Sequence, residues 1–149
     1  AIYDVVRYTF VLEEDRYTDS IALIIEQLVE RGYVPFRVRN FWKQSSGYAG
    51  VNSIWTSPSG YRFEIQFHTR QSINVKEVVS HPLYEIQRAT TLGTTAYAEV
   101  TEQIEAAWKE VRVNPPQLDG LSDILASTFS LADERPAQRL RRALDRLPE

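Results

Sequence analysis

The chain has 149 residues, a length that fits one domain with a sizeable core. Hydrophobic residues make up 43% and charged residues 25%, as in ordinary globular proteins, and the net charge of −3 argues against a predominantly basic nucleic-acid-binding surface. The absence of cysteine excludes disulfides and thiolate metal sites, and no apolar run approaches the roughly 20 residues that span a bilayer.

The first part of the chain predicts a strand, a helix and a second strand. Residues 5–12 are rich in β-branched and aromatic side chains, which is typical of a buried strand. Residues 20–31 carry isoleucine and leucine at helical spacing, and Gly32 ends this predicted helix. In residues 34–39, Val and Phe alternate with Pro and Arg, which predicts a half-exposed strand with its two arginines on one face.

A β-hairpin is predicted next. Residues 51–56 and 61–68 have strand composition and flank the turn Ser57–Gly60. The second of these strands has two different faces, because successive side chains point to opposite sides of a sheet. One face is apolar, with Tyr61, Phe63, Ile65 and Phe67, and the other is polar, with Arg62, Glu64, Gln66 and His68.

Helices account for the rest of the chain. Three are predicted before the break at Asn114-Pro115-Pro116, over residues 72–79, from Pro82 to about 88, and over 95–111. The tail that follows predicts two short helices. This order of elements indicates an α/β (α+β) fold, in which helices pack on a mixed sheet of four to five strands. We assign residues 1–112 to the main domain and 113–149 to a helical extension.

The polar face of the second hairpin strand is the first candidate for a functional site, although a solvent-facing edge would show the same pattern. Asp4 heads the first strand, and Arg37 and Arg39 share one face of another. Two carboxylates from neighbouring strands, here Asp4 and Glu64, can hold Mg²⁺, which keeps several waters for substrate phosphates. The nearby arginines would neutralise phosphate charge.

Three ordered segments of the sequence resemble the RelA/SpoT-type pyrophosphokinase domain. They are Asp4–Thr9, Gly47–Asn52 and Phe63–Thr69, followed by the single positions Ser72, Lys76, His81, Glu85 and Arg88. The most specific part is the Glu-Ile-Gln-x-x-Thr pattern combined with Gly-Tyr. Members of that family have a nucleotidyltransferase-like fold and move pyrophosphate from ATP to a ribose 3′-hydroxyl, so the resemblance implies the same fold and activity here.

The resemblance also implies a role for individual residues. Asp4 is similar to the family's magnesium ligand, and Glu64 to the second carboxylate, which binds metal or helps to deprotonate the attacking hydroxyl. Tyr48 is similar to the tyrosine that stacks on the acceptor base, although a loop-packing role is the alternative. The implied phosphate contacts are Arg7, Arg37, Arg39 and Lys43. The substrate-binding set is completed by Asn52, Gln66, His68 and His81, of which Gln66 and His68 would line the acceptor pocket.

The sequence departs from the pattern of the long alarmone synthetases of this family. Asn52 stands where those enzymes have histidine, and His68 where many have arginine, which favours the shorter toxin-like branch and leaves the acceptor open. The family's basic ATP-binding segment precedes the first aspartate and has no counterpart before Asp4. The chain also lacks methionine. We therefore expect it to be excised from a longer polypeptide, and to fold but not catalyse transfer by itself.

The leading hypothesis is ATP-dependent pyrophosphate transfer with Mg²⁺, in a toxin, an effector or an alarmone synthetase of the stringent response. ATP would be the donor, and a nucleotide or a tRNA 3′ end the acceptor. An antitoxin or immunity protein is a further expected partner, with no membrane contact. The expected site of action is the cytoplasm, reached as the effector domain of a larger secreted protein. The alternative is a catalytically silent module of the same fold that senses a nucleotide or binds a protein.

Overall fold

The computed structural model describes residues 6–133, 141 and 144–148. Four strands form one mixed sheet in the order β1-β4-β3-β2: β1 (Arg7–Leu12), β2 (Val34–Asn40), β3 (Val51–Thr56) and β4 (Arg62–Thr69). Strand β1 runs parallel to β4, whereas the β4–β3 and β3–β2 pairs are antiparallel. The prediction of a mixed sheet with helices packed on it is therefore confirmed, with four strands, and the hairpin is the β3–β4 pair.

The helices lie between and after the strands. They are α1 (Tyr17–Glu30), α2 (Arg70–Asn74), α3 (His81–Ala89), α4 (Thr95–Val113) and α5 (Leu121–Asp133). A π-helical segment, Val75–Ser80, joins α2 to α3. Short 3₁₀ turns occupy Glu14–Arg16 and Phe41–Lys43. Within the described residues, no helix has both the length and the hydropathy needed to cross a bilayer.

Part of the core lies between the sheet and α1, and side chains of α4 and α5 belong to the same cluster. Tyr17, Ile21, Ile25 and Val29 recur every four residues and are buried, because this spacing aligns them along one helix face. The Tyr17 hydroxyl donates to the Phe67 carbonyl at 2.5 Å and ties α1 to β4. Helix α1 therefore begins three residues before the predicted start at Ser20. It ends one residue earlier than predicted, and Gly32 follows it with φ 85°.

Strand β1 is not the buried strand that its composition predicts. It is an edge strand, and five of its six residues are exposed, among them Tyr8 at 56% and Val11 at 51%. β-branched and aromatic residues favour a strand, but burial depends on what packs against it.

Strand β2 also departs from strict alternation. An extra residue, Phe36, interrupts the register between Pro35 and Arg37. As a result Pro35 is buried and Phe36 is 50% exposed, opposite to the prediction for this strand. The Arg62 guanidinium lies 3.7 Å from the centroid of the Phe36 ring, a cation–π contact. Beyond this β-bulge, Arg37 and Arg39 share one face, as expected.

The two helices predicted over 72–79 and 82–88 form one continuous helical segment from Arg70 to Ala89. Its middle part is π-helical and ends two residues before Pro82. Proline lacks the backbone donor of an α-helix, and its ring clashes with the carbonyl four residues earlier. A wider turn relieves that clash without ending the helix. Helix α3 begins at His81 with Pro82 in its first turn, close to the predicted start.

Candidate functional site

The strand register places the predicted polar residues on one side of the sheet. Arg7 lies opposite Glu64, Asn52 opposite both Gln66 and Arg39, and Arg37 opposite Ile54. Residues directly opposite each other point to the same face of a sheet, and α1 covers the reverse face. We call this side the polar face, and define it by Arg7, Arg37, Arg39, Asn52, Glu64, Gln66 and His68.

A cleft opens on the polar face between β2 and β4. Its lining combines two guanidinium groups with one carboxylate, an amide, an aromatic ring and an aliphatic side chain: Arg37, Arg39, Phe41, Asn52, Ile54 and Glu64. Arginines bind phosphate oxygens through paired N–H groups, and an aromatic ring offers a surface for a base. The cleft therefore has the groups needed to hold a nucleotide phosphate beside a carboxylate.

Glu64 receives a hydrogen bond on each of its carboxylate oxygens. Arg7 Nε donates to Oε2 at 3.0 Å, and Gln66 Nε2 donates to Oε1 at 2.8 Å. The buried Gln66 amide is itself oriented by Lys76, whose Nζ donates to Gln66 Oε1 at 2.8 Å. Because an ammonium group can only donate, Lys76 selects the amide oxygen and leaves the NH₂ group for Glu64. Three residues thus fix the direction of the carboxylate.

A second hydrogen-bond chain surrounds the fully buried His68. Its Nδ1 atom lies 2.8 Å from Ser72 Oγ, and its Nε2 atom lies 2.8 Å from the Tyr48 hydroxyl. The Tyr48 hydroxyl donates to Asn52 Oδ1 at 2.8 Å, so it must accept from His68 Nε2–H. His68 Nδ1 then accepts from Ser72, whose oxygen in turn accepts the Thr69 backbone N–H. In this series of hydrogen bonds, each of the named N–H and O–H groups therefore has an acceptor.

Burial keeps His68 and Tyr48 neutral at neutral pH. It lowers the pKa of His68 to about 4, with the Lys76 charge adding to the effect. It also raises the pKa of Tyr48 well above its usual value. This part of the site therefore consists of uncharged donors and acceptors beside the charged Glu64 cluster.

Gly50 is required by the contacts of His68. A Cβ atom at this position would lie 2.7 Å from His68 Cε1 and 3.2 Å from the Tyr48 hydroxyl oxygen. A real Cβ is not found at 2.7 Å from a ring atom, so a side chain here would displace the imidazole. Within the Gly47–Asn52 segment, Gly50 therefore has a local steric role.

Three predicted site residues are not in this arrangement. Lys43 is exposed and borders a different groove, between β2 and α5, together with Asn40 and Leu125. His81 lies exposed on α3, where its Nε2 atom is 3.7 Å from the Glu85 carboxylate. Asp4 lies outside the described residues.

Three residues that contact the polar face or line its cleft, Ser72, Lys76 and Phe41, were given no role by the sequence. Ser72 and Lys76 belong to the segment that resembles the family, and their spacing of four residues puts them on one side of a helix that directly follows β4. This spacing in the sequence could have predicted that Ser72 and Lys76 belong to the site. No sequence pattern predicts the role of Phe41, because its position depends on the turn after β2.

The described residues include no group of three or more His, Cys, Asp or Glu side chains that could hold a metal ion. Glu64 supplies one carboxylate on the polar face. Mg²⁺ takes one or two protein carboxylates and completes its coordination with waters and substrate phosphates. The donor set present here therefore fits a magnesium ion that binds together with a nucleotide, with the predicted second ligand, Asp4, outside the described residues.

Comparison with known proteins gives little further information. No protein-family model and no curated protein matches the chain. The chain is similar to one in the crystal structure of the complex between the type VI effector Tas1 and its immunity protein, with 23% sequence identity and a TM-score of 0.49, over 75% of this chain and 68% of that one. A similarity of this extent assigns neither a family nor an activity, so a functional conclusion depends on the site residues.

Proposed function

We propose that the chain is a RelA/SpoT-type pyrophosphokinase domain of the toxin-like branch, which transfers the β,γ-pyrophosphate of ATP to a ribose 3′-hydroxyl. The single observation that carries this proposal is the shared sheet face of Arg7, Glu64 and Asn52, which belong to three separate segments of the sequence. Those are the same three segments that resemble the family. The acceptor is a nucleotide or the 3′ end of tRNA.

The arrangement suits transfer between phosphate and hydroxyl groups. Magnesium bound with the triphosphate would supply charge neutralisation, with Glu64 and Asp4 as its protein ligands. Arg37 and Arg39 bind phosphate oxygens along the cleft. The acceptor 3′-oxygen forms a bond to the β-phosphorus, the bond from that phosphorus to the α,β-bridging oxygen breaks, and AMP leaves. Glu64 takes the proton of the hydroxyl, in an orientation that Arg7 and Gln66 hold.

The two positions that favour the toxin-like branch act together in the structure. Asn52 and His68 both hydrogen-bond to the Tyr48 hydroxyl, each at 2.8 Å. The Tyr48 ring is packed edge-to-face against Phe41 and Trp108, with ring centroids 5.2 Å apart in both pairs. We propose that this unit forms the acceptor side of the site.

We also propose that the protein acts in the cytoplasm of a target cell as an effector, with an immunity protein as its partner.

Transfer of radiolabel from β,γ-labelled ATP tests the proposal. The chain, within its complete natural polypeptide, is incubated with Mg²⁺ and, separately, GDP, GTP, adenine nucleotides or uncharged tRNA. We expect labelled product with at least one acceptor, and a loss of roughly 10²–10³-fold or more in Glu64→Gln, the effect of removing one positioned charged group. Glu110→Gln, on the exposed surface of α4, is the matched control and keeps full activity.

Two outcomes contradict the proposal: absence of transfer to every acceptor, and a wild-type rate for Glu64→Gln.

The hydrogen bonds from Arg7 and Gln66 to both Glu64 oxygens also suit a module that only binds nucleotide, because the carboxylate is already neutralised. Calorimetry with GDP and ATP separates this second candidate. Nucleotide binding without label transfer in the complete polypeptide would favour the sensor.

A further inference from the structure

Arg112 on α4 contacts a distant part of the backbone. Its Nη2 atom donates to the carbonyls of Phe41, at 2.9 Å, and Tyr48, at 3.0 Å, and its Nη1 atom donates to the Gly47 carbonyl. These carbonyls belong to the two ends of the connection between β2 and β3, which we call the acceptor segment, residues 41–50. One guanidinium group therefore holds both ends of this segment.

The surroundings of Arg112 are unfavourable for a charged group. Its Nε atom is buried and, within the described part of the chain, has no hydrogen-bond partner. Burial lowers the pKa of Arg112, an effect that the Glu105 charge opposes. Arg112 is half-buried, and a cation that is partly removed from water and satisfies backbone carbonyls instead of a carboxylate is unfavourable unless the backbone conformation itself is needed. The planar fork of arginine spreads its N–H donors over two nitrogen atoms that reach three carbonyls, whereas all the donors of lysine share one nitrogen atom.

The acceptor segment shapes the proposed site directly. Phe41 lines the cleft beside Arg39, and the Phe41 N–H donates to the Gly50 carbonyl at 2.9 Å, which closes the segment. In this closed segment the Tyr48 hydroxyl hydrogen-bonds to both Asn52 and His68, each at 2.8 Å. Trp108, one turn before Arg112 on α4, packs against the Tyr48 ring. The same helix thus fixes both the backbone and an aromatic side chain of the segment.

We infer that Arg112 is a positioning residue of the acceptor site, which holds residues 41–50 closed so that Phe41 borders the cleft and the Tyr48 hydroxyl meets its two partners. The consequence for nucleotide binding rests on the proposed function, whereas the closed segment can be measured separately. Arg112 contacts no substrate in this role and acts through the segment.

Hydrogen–deuterium exchange of the wild type and three variants tests the closed segment. Arg112→Met removes the charge, Arg112→Lys keeps the charge without the fork, and Lys109→Met removes an exposed cation from the same helix. We expect the amides of residues 41–50 to exchange roughly ten-fold faster or more in both Arg112 variants, as follows from losing one to two net hydrogen bonds. Exchange in α1 should stay unchanged, and Lys109→Met should match the wild type. Wild-type exchange of residues 41–50 in Arg112→Met, or equally faster exchange throughout the chain, overturns the inference.

Calorimetry on the same proteins, within the complete natural polypeptide, measures the consequence. GDP and ADP serve as acceptor probes and ATP as the donor probe. Arg112→Lys should weaken acceptor binding by roughly ten-fold while leaving the Kd of ATP within about two-fold, a split that general destabilisation would not produce. Wild-type acceptor affinity despite faster exchange would overturn the positioning role. If the wild type binds none of these nucleotides, the proposed function fails, and the exchange result alone decides whether Arg112 holds the segment closed.

Discussion

At the scale of single residues, His68 determines the chemistry of the neutral part of the site. It is fully buried, and its neighbours are the Tyr48 and Ser72 hydroxyls and, at longer range, the Lys76 ammonium group. The direction of the hydrogen bonds assigns its proton to Nε2. A second proton on Nδ1 would point at Ser72 Oγ, which already donates its own proton to that nitrogen. Protonation of His68 therefore requires the surrounding hydrogen bonds to rearrange.

This arrangement predicts a pH dependence of stability. The pKa of His68 is about 4 in the folded chain and near 6.5 when it is unfolded, so between these values the unfolded chain binds more protons. The free energy of unfolding therefore rises as the pH increases from 4 to 6.5. The contribution of His68 to this rise is on the order of 3 kcal/mol, and it is lost again on acidification. Urea unfolding at several pH values measures this slope in the wild type, His68→Gln and His81→Gln.

We expect the slope to decrease in His68→Gln, because glutamine does not titrate. His81→Gln, at an exposed position of α3, is the matched control. The difference between His68→Gln and the two other proteins isolates His68. Parallel curves for the wild type and His68→Gln would contradict the assignment of the depressed pKa to this residue.

At the scale of elements, the junction between β4 and α2 connects the sheet to the hydrogen bonds around His68. Thr69 is the N-cap of α2: its Oγ1 accepts the Ser72 N–H at 3.1 Å, and Ser72 Oγ accepts the Thr69 N–H at 2.9 Å. This capping box is buried, and Ser72 is also the partner of His68. The cap of the helix and the orientation of the imidazole therefore depend on the same hydroxyl.

Removal of this cap should destabilise the protein more than removal of an exposed one. Thr69→Val keeps the shape of the side chain but removes the acceptor, and should decrease the free energy of unfolding by about 2 kcal/mol, because the Ser72 N–H is left buried without a partner. Thr94→Val removes the N-cap of α4, whose bond to the Tyr97 N–H is exposed, and should cost about 0.5–1 kcal/mol. Chemical denaturation compares them, and equal losses would show that the buried cap has no special weight.

At the scale of the whole molecule, α5 packs on the elements of the first half of the chain. Leu121 and Leu125 of α5 are buried in the same core as α1. The connection before α5 is tied to the start of α1, because Thr18 Oγ1 donates to the Gln117 carbonyl and the Gln117 N–H donates to the Glu14 carbonyl, both at 2.7 Å. These contacts couple the segment after residue 113 to the rest of the fold.

This coupling allows a test of the proposed boundary after residue 112. Leu121→Ala removes a side chain that is 1% exposed, and should decrease the free energy of unfolding of the whole chain by about 2–5 kcal/mol in one cooperative transition. Leu92→Ala, at a position that is 77% exposed, should change it by less than about 0.5 kcal/mol. Tryptophan fluorescence follows unfolding, since Trp42 and Trp55 lie in the core. If Leu121→Ala leaves that transition unchanged, the tail is a separate unit.

The sequence by itself determined the elements whose pattern is local. Strand β3 has the predicted limits, Val51 to Thr56, and the alternation of β4 predicts Glu64 and Gln66 on one face, as in the observed register. The spacing of apolar residues found α1, although its first turn depends on contacts of Tyr17 and Thr18. A period of two or of 3.6 residues follows from backbone geometry within one element, so it can be recognised without neighbours.

Only the tertiary structure decided which surfaces are covered and which residues meet. The exposure of β1, the bulge at Phe36 and the π-helical segment before Pro82 depend on packing, as does the position of Lys43 beside α5 instead of the cleft. The contacts of Arg112 with the acceptor segment join residues that lie far apart in the sequence. Local periodicity carries no information on such contacts, because they form only when complete elements pack together and distant backbone groups must find partners away from water.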